Sequence, residues 1–129
     1  MSGVLAVVLL HGQLLLEQRA CAPFKGYWAL PGGATHDGES CEDAVIREVQ
    51  EEVGLDITIV RPLKCNFPNE DVTAFLAEAQ TFNIIVQADE VSSTLLVDAH
   101  ALIKMQPLMV PSHYRCLMKV LEHEKNLLY

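Results

Sequence analysis

The chain opens with apolar segments that are separated by turn residues. The continuous run from Val4 to Leu10 is typical of a buried strand, and Leu14 to Gln18 predicts a second strand. Between them, His11-Gly12 predicts a tight turn, so this end of the chain should form a β-hairpin. Further strands are predicted over Tyr27 to Leu30, Leu55 to Val60, Val72 to Ala79 and Ser93 to Val97.

One amphipathic helix has both of its ends marked in the sequence. Ser40, with Asp43 three residues later, resembles a capping box in which Asp replaces the usual Glu. Gly54 stands where a helix C-terminal glycine belongs. Between these ends, valines repeat every four residues at 45, 49 and 53, which predicts one buried face. Shorter signals predict a loop over Ala22 to Gly26, a strand end at Pro31-Gly32-Gly33, a short helix over Ala99 to Lys104 and a last helix from Pro111 to about Lys125.

The order of these elements predicts the fold class. Strands and helices alternate irregularly, which indicates an α/β fold with a mixed sheet. The chain has 129 residues, of which 50% are hydrophobic, so a core can form and a single domain spanning residues 1–129 is expected.

Charge, hydropathy and cysteine usage limit the partners and the cellular location that the sequence predicts. The 17 acidic and 9 basic residues give a net charge of −8, which argues against a nucleic-acid polymer or an anionic membrane as the main partner. No apolar run is long enough to cross a bilayer, and no basic residue precedes Arg19, so no signal peptide is predicted and a cytoplasmic location is expected. The cysteines form no C-x-x-C pair and are expected to be free thiols; they are Cys21, Cys41, Cys65 and Cys116.

Acidity is concentrated in the predicted helix and the loop before it. Seven of the 17 acidic residues but only one basic residue lie between Gly33 and Leu55. Helical geometry places Glu48, Glu51 and Glu52 within an arc of about 100° beside the valine face. Carboxylates at this spacing repel one another, and a hard divalent cation such as Mg²⁺ or Mn²⁺ resolves that repulsion. The alternative is an ordinary solvated acidic face.

The complete string of residues decides between these alternatives. From Gly33 to Leu55 the chain reads GATHDGESCEDAVIREVQEEVGL, which fits G-x5-E-x7-R-E-U-x-E-E-x-G-U at every fixed position, with U an aliphatic residue. This pattern is the signature of the Nudix hydrolase family, and the sequence resembles the family without a departure. The lead-in WALPGG, from Trp28 to Gly33, is also similar to the family.

The resemblance implies a fold, an activity and a metal site. The fold would be a mixed-sheet α/β/α sandwich, and the reaction would hydrolyse the diphosphate linkage of a nucleoside diphosphate joined to another group. By position, Glu51 and Glu52 would be metal ligands, and Glu48 a ligand or the base. Glu39 would support the metal shell and the Gly32 carbonyl would join it. The implied cofactor is Mg²⁺, with Mn²⁺ as the alternative.

Other residues are candidates for supporting roles. Arg47 would orient the glutamates through a salt bridge, and Gly33 would let the backbone approach the substrate. Arg19 is a candidate for binding a phosphate, and the alternative is a plain surface arginine. Trp28 would either stack on a base or lie in the core. Glu90 is a candidate for the extra metal-binding glutamate of some members. Phe24 and Tyr27 are weaker pocket candidates, and the histidines are expected at the surface or in turns: His11, His36, His100, His113 and His123.

Substrate identity remains open within the family. The short length and the WALPGG lead-in favour a MutT-like nucleoside triphosphate pyrophosphohydrolase that acts as a monomer or homodimer. Pro68 points weakly to ADP-ribose, and a nucleotide sugar is a further alternative. No tyrosine lies between Tyr27 and Tyr114, which counts against dinucleoside polyphosphates. A catalytically silent, nucleotide-sensing domain is the alternative from another class, although such domains tend to lose glutamates that this chain retains.

Overall fold

A seven-stranded mixed sheet forms the centre of the structure, a computed structural model that describes residues 2–65, 67, 71–81, 83–124 and 126–128. The strands are β1 (Ser2–Leu10), β2 (Gln13–Arg19), β3 (Trp28–Ala29), β4 (Gly32–Ala34), β5 (Ile57–Leu63), β6 (Asp71–Ala79) and β7 (Val91–Val97). The helices are α1 (Cys41–Val53), α2 (Ala99–Lys104) and α3 (Pro111–His123), and a 3-10 turn spans Gln106–Leu108.

Strand β1 organises the sheet. One of its edges pairs in parallel with β6, from Ser2 opposite Asp71 to Leu9 opposite Glu78. Its other edge is divided, since residues 3–5 pair with β4 and residues 9–10 pair with β2. Strand β2 then pairs with β3 and β7. Because β2 and β4 share one edge of β1, the end of β2 separates from β1 where β4 is inserted.

Side chains of β1 alternate between two cores. Val4, Ala6 and Val8 face α1, where they pack with a cluster that includes the helix valines. Leu5 and Val7 face the opposite side and pack in the cluster that contains α3. This period of two is the one expected for a strand buried on both faces. The predicted α/β/α sandwich with a mixed sheet is therefore confirmed.

Helix α1 begins and ends where the sequence predicts. Ser40 Oγ accepts a hydrogen bond from the Asp43 N–H at 3.1 Å, which caps the first turn. Gly54 has φ 71°, and its N–H donates to the Gln50 carbonyl, so it forms the left-handed C-terminal cap. The three valines of the repeat are fully buried.

Two predicted elements differ from the structure. The Pro31-Gly32-Gly33 segment was predicted to end a strand, but Gly32–Ala34 form β4 and pair with β1. A Cβ at Gly32 would lie 2.1 Å from the Val4 carbonyl oxygen, so this pairing requires a residue without a side chain. The strand predicted over Leu55 to Val60 begins later, at Ile57, and continues to Leu63.

The last helix ends slightly earlier than predicted, and the helices were also compared with the length needed to span a membrane. Helix α3 ends at His123, and Lys125, where it was predicted to end, lies outside the described residues. Within the described part of the chain, no helix combines the length and the apolar character needed to cross a membrane.

The prediction of four free thiols is wrong for two of them. Cys65, just after β5, forms a disulfide with Cys116 of α3, and the two Cα atoms are 5.1 Å apart. Cys21 and Cys41 are free. The two bonded cysteines are 51 residues apart in sequence, so their proximity arises only when α3 packs on the sheet.

We expect reduction of this disulfide to destabilise the protein. A bridge that closes a loop of this length removes entropy from the unfolded chain, and its loss should lower the free energy of unfolding by about 4 kcal/mol. Thermal unfolding with and without a phosphine reductant measures the effect, and mass spectrometry counts the thiols. The Cys21→Ser variant is the control and should keep the full response to reductant. An unfolding temperature that is insensitive to reductant would contradict the bridge.

Candidate functional site

Three carboxylates converge beside the C-terminal half of α1. Glu48 and Glu52 lie one helical turn apart, and Glu90 directly precedes β7. Each of the three offers an oxygen within 4.8 Å of the oxygens of the other two. Glu48 and Glu52 are 9% and 6% exposed, whereas Glu90 is open to solvent. A set of carboxylate oxygens with one open side suits a hard divalent cation that also binds substrate phosphates.

Backbone hydrogen bonds carry Glu90 to the helix. The segment before β7 crosses the end of α1, where the Ile85 N–H donates to the Val53 carbonyl and the Gln87 N–H donates to the Glu52 carbonyl, both at 2.8 Å. On the other side, the Ala20 N–H donates to the carbonyl of Glu90 at 2.9 Å. The structure therefore brings Glu90 to the glutamates of α1.

Strand β4 packs against these glutamates with its glycines. A Cβ at Gly33 would lie 2.5–2.7 Å from three atoms of the Glu48 carboxyl group, and the Gly32 N–H donates to Glu52 Oε1 at 3.0 Å. The helix can bury two carboxylates here because the two glycines of the facing strand have no side chains and Gly32 offers an N–H donor. Both glycines also line the cavity described below.

Arg47 forms ion pairs with three glutamates of the signature. Its guanidinium contacts Glu39 at 2.8 Å, Glu48 at 3.0 Å and Glu51 at 3.2 Å, and it donates to the Ala34 carbonyl at 3.0 Å. The hydrogen bonds from Arg47 lower the pKa of Glu39 to about 2. These contacts are those of a residue that positions carboxylates, which is the role predicted for Arg47.

Glu51 takes a different place from the other glutamates of the helix. Its side chain is 52% exposed and contacts Arg47, and it does not belong to the convergent carboxylates Glu48, Glu52 and Glu90. Its role as a metal ligand therefore stays a prediction.

Sequence reasoning missed a fourth carboxylate, that of Glu17. It lies on β2, is only 4% exposed and hydrogen bonds to Glu52. Burial raises the pKa of both carboxyls, and repulsion between them raises that of Glu52 further. Burial also raises the pKa of Glu48. Strand alternation was the available signal, since Glu17 follows the buried Leu15 by two residues and shares its face.

A cavity of about 170 Å³ opens next to Glu17, in the gap between the end of β2 and strands β1 and β4. Arg19 lines it, and the Arg19 Nε–H donates to the Pro23 carbonyl at 2.7 Å. His113 of α3 also lines it and is partly buried, so the expectation of a surface or turn position is wrong for this histidine. Its environment is decided by the packing of α3 against β3.

The aromatic candidates lie apart from this cavity. Trp28 is partly buried and packs against the core on the α3 side. Phe24 and Tyr27 are 45% and 40% exposed, and their rings meet edge to face with centroids 5.3 Å apart. None of the three lines the cavity, so substrate contact by Trp28 remains a prediction without support from its position.

Comparison with known proteins identifies the family. The model of the NUDIX domain matches residues 1–120. The chain belongs to the Nudix family. The signature inferred from Gly33 to Leu55 thus lies in a match that extends over almost the entire chain, and the predicted membership is confirmed.

Curated relatives of this Nudix domain have several activities. An 8-oxo-dGTP diphosphatase from Proteus vulgaris is 36% identical over 70 residues, covering 49% of this chain and 60% of the relative. An ADP-ribose pyrophosphatase from Methanocaldococcus jannaschii is 54% identical over 43 residues, or 33% of this chain and 25% of the relative. An NAD-capped RNA hydrolase NudC from Pseudomonas putida is 29% identical over 104 residues, covering 78% of this chain and 38% of the relative. The chain thus spans 60% or less of each of these relatives.

A solved structure confirms the fold. A NUDIX hydrolase from Nitrosomonas europaea superposes with a TM-score of 0.84 at 20% identity, over 96% of this chain and 71% of that one. At this identity the likeness concerns the fold alone.

We expect the metal-free Nudix domain to become less stable as pH rises. The folded state holds protons on Glu17 and Glu52 that the unfolded chain releases near the ordinary carboxyl value of 4.5. Stability from these groups is therefore fully present below about pH 4.5, and it is lost as pH rises through about 7, the folded-state pKa of Glu17, and further as Glu52 ionises. Burial lowers the pKa of His113 from 6.5 to about 4, so this histidine adds stability as pH rises to 6.5 and opposes the carboxyl effect there. In EDTA the melting temperature should therefore fall above pH 6.5, whereas Mg²⁺ should stabilise most at the alkaline end, because it favours the ionised carboxylates.

Thermal unfolding in EDTA and in Mg²⁺ across this pH range measures the effect. The Glu17→Gln variant should show a flatter pH dependence in EDTA, and Glu122→Gln, which alters an exposed glutamate of α3, should match wild type. Parallel pH profiles for wild type and Glu17→Gln would show that the buried pair does not titrate in this way.

A methyl group at position 33 should displace Glu48 without unfolding the protein. The clash in Gly33→Ala is with the end of a side chain, which can rotate away while the backbone stays in place. For the role that the sequence predicts for Glu48, a displacement of about 1 Å can cost 10²-fold in rate, so we expect a loss of turnover of about that size. The metal-dependent rise in melting temperature should also shrink. Ala34→Ser, at the adjacent exposed position, is the control and should leave both unchanged.

Proposed function

We propose that residues 1–129 act as one Nudix catalytic domain that hydrolyses the diphosphate linkage of a nucleoside diphosphate derivative with Mg²⁺ or Mn²⁺. The observation that carries this proposal is the convergence of Glu48, Glu52 and Glu90 beside a cavity lined by Arg19. The carboxylates supply the ligands that these cations prefer. The guanidinium of Arg19 supplies a fixed positive charge for a phosphate.

The residues of the site divide the work of phosphate hydrolysis. A bound divalent cation would neutralise phosphate charge and lower the pKa of a coordinated water. Glu48, Glu52 and Glu90 would hold it, with the Gly32 carbonyl and Glu51 as further ligands. Glu48 is alternatively the base, since a carboxylate within hydrogen-bond reach of that water accepts its proton. Arg47 keeps Glu48 in place and binds Glu39, which therefore supports the site from outside.

The donor set fits a cation on physical grounds. Glu17 and Glu52 hydrogen bond as two buried carboxyls, an arrangement that requires a proton when no cation is bound. A divalent cation would replace that proton and satisfy the charge of the ionised group.

Our first choice of substrate is a nucleoside triphosphate, cleaved to a monophosphate and pyrophosphate. The 36% identical 8-oxo-dGTP diphosphatase supports this choice, as does the WALPGG lead-in. The 54% identical segment of an ADP-ribose pyrophosphatase favours ADP-ribose as the second candidate. Pro68, the sequence marker for that branch, lies outside the described residues. A nucleotide sugar is the remaining alternative substrate if the domain is an enzyme.

Two further parts of the proposal concern whether the domain is active and where in the cell it lies. A catalytically silent sensor is disfavoured, because Glu39, Glu48, Glu51 and Glu52 of the signature are all present. A cytoplasmic location is part of the proposal, and the Cys65–Cys116 disulfide is of a kind that is uncommon in reducing compartments.

Glutamate-to-glutamine variants test the proposal, because glutamine keeps the shape of glutamate and removes its charge. Glu48→Gln should lower kcat by about 10²- to 10⁴-fold, the range for loss of a positioned base. Glu52→Gln, which removes a proposed metal ligand, should also lower turnover by orders of magnitude. Excess EDTA should abolish turnover. The measurement is release of phosphate or pyrophosphate from a panel of nucleoside triphosphates, ADP-ribose and nucleotide sugars in Mg²⁺ and Mn²⁺.

The matched control is Glu42→Gln, which changes an exposed glutamate of α1 outside the fixed positions of the signature and should retain wild-type activity. Glu51→Gln distinguishes the two possible roles of Glu51. If Glu51 is a metal ligand, the variant should lose activity as Glu52→Gln does. If Glu51 only pairs with Arg47, the loss should be milder. Turnover that persists in excess EDTA would exclude the metal mechanism, and a panel without any turnover would favour the silent domain.

A further inference from the structure

The conformation of Arg19, which lines the cavity beside the carboxylates, is held by the loop that follows it. Residues 20–26 form this loop and connect β2 to β3. The Arg19 Nε–H donates to the Pro23 carbonyl, in the middle of the loop, at 2.7 Å. A guanidinium carries its five N–H donors in one plane, so this bond fixes the plane and leaves the four donors of the terminal nitrogens. Where those donors point therefore depends on where the loop holds the Pro23 carbonyl.

The loop has a backbone conformation that needs support from its surroundings. Phe24 has φ 61° and Gly26 has φ 88°. A positive φ is rare for a residue as bulky as Phe24, and it persists only where neighbouring contacts enforce it. Backbone bonds close the base of the loop, since the Gly26 N–H donates to the Arg19 carbonyl at 2.8 Å and the Arg19 N–H donates to the Tyr27 carbonyl at 2.9 Å.

The side chain of Gln18 connects this loop to the sheet. Its Nε2–H donates to the Gly26 carbonyl at 3.0 Å, and its Oε1 accepts from the Ser92 hydroxyl at 3.2 Å. A backbone carbonyl can only accept a hydrogen bond, so the amide nitrogen must face Gly26 and the amide oxygen must face Ser92. One side chain thus links the loop that holds Arg19 to strand β7.

A β-bulge makes Ser92 available for this contact. Gln18 pairs with Ser93 and Arg19 pairs with Val91, so Ser92 is the extra residue of β7 between these two pairs. Bulges are frequent next to active sites, where they redirect a side chain. Here the redirected hydroxyl contacts Gln18, because it donates both to the amide oxygen and, at 3.4 Å, to the Gln18 carbonyl.

We propose that Gln18 is a positioning residue, which keeps Arg19 directed at the phosphates of the substrate by holding the loop at Gly26. Gln18 itself does not line the cavity and does not belong to the convergent carboxylates, so it acts through Arg19. This inference rests on the proposed function, since only there is Arg19 a phosphate ligand.

The Gln18→Met variant tests the role in catalysis, because methionine keeps the length of the side chain and removes both hydrogen bonds. KM for the best nucleotide of the panel should rise about 3- to 10-fold with kcat little changed, the size expected for lost neutral hydrogen bonds. Ser92→Ala should raise KM in the same direction, and Ser92→Thr, which keeps a hydroxyl, should restore it. Ser93→Ala, at the exposed neighbouring position of β7, is the matched control and should keep the wild-type KM. A fall in kcat at constant KM would overturn the inference.

A double-mutant cycle tests whether Gln18 acts through Arg19. Arg19→Gln should raise KM by about 10- to 100-fold, because it removes hydrogen bonds from a charged group. Adding Gln18→Met to Arg19→Gln should raise KM no further, since residues that act as one unit are not additive. The dissociation constant of Mn²⁺, measured by electron paramagnetic resonance, should be the same in wild type and Gln18→Met. Additive effects on KM, or weaker Mn²⁺ binding by Gln18→Met, would overturn the inference.

The NMR signal of the Arg19 Nε–H separates this inference from the proposed function, because it needs no turnover. Its absence from Arg19→Gln assigns the signal. In wild type the proton should exchange slowly with water, since it is bonded to the Pro23 carbonyl, and in Gln18→Met exchange should be about 3- to 10-fold faster. Faster exchange in a protein that hydrolyses no nucleotide would uphold the positioning of Arg19 and reject only the proposed activity. Equal exchange in wild type and Gln18→Met would overturn the positioning role.

Discussion

The close approach of α1 to a strand of glycines is the constraint on which the site depends. Gly32 and Gly33 leave no side chain between β4 and the helix, so the carboxyl groups of Glu48 and Glu52 fill that space. The same glycines allow β4 to pair with β1, because a Cβ at Gly32 would overlap the Val4 carbonyl. One pair of residues therefore fixes both the edge of the sheet and the position of the acidic cluster.

Burial of these carboxylates carries an electrostatic cost that the surroundings offset only in part. Arg47 forms ion pairs with three of the acidic side chains in the signature, and its positive charge offsets part of theirs. Glu17 and Glu52 lie beyond its contacts, and burial raises the pKa of both. A structure that retains such groups at the expense of stability is typical of a functional site, and here the missing positive charge is the one a divalent cation would bring.

The cavity adjoins the carboxylates and shares Glu17 with them. It exists because β2 separates from β1 where β4 is inserted, and because α3 packs across the gap with His113 held by the Leu30 N–H. Glu17 lies at the junction, in contact with Glu52 on one side and with the cavity on the other.

The sequence by itself determined the features that depend on local order. Ser40, Gly54 and the valine repeat set the bounds and buried face of α1, and the spacing from Gly33 to Leu55 predicted the family and most of the acidic residues. Tertiary structure decided what depends on contacts between distant segments. It placed Glu90 and Glu17 beside Glu52, turned Glu51 toward Arg47 and joined Cys65 to Cys116. Helical and strand periodicities fix which face a side chain occupies, but only the packing of strands and helices fixes what that face meets.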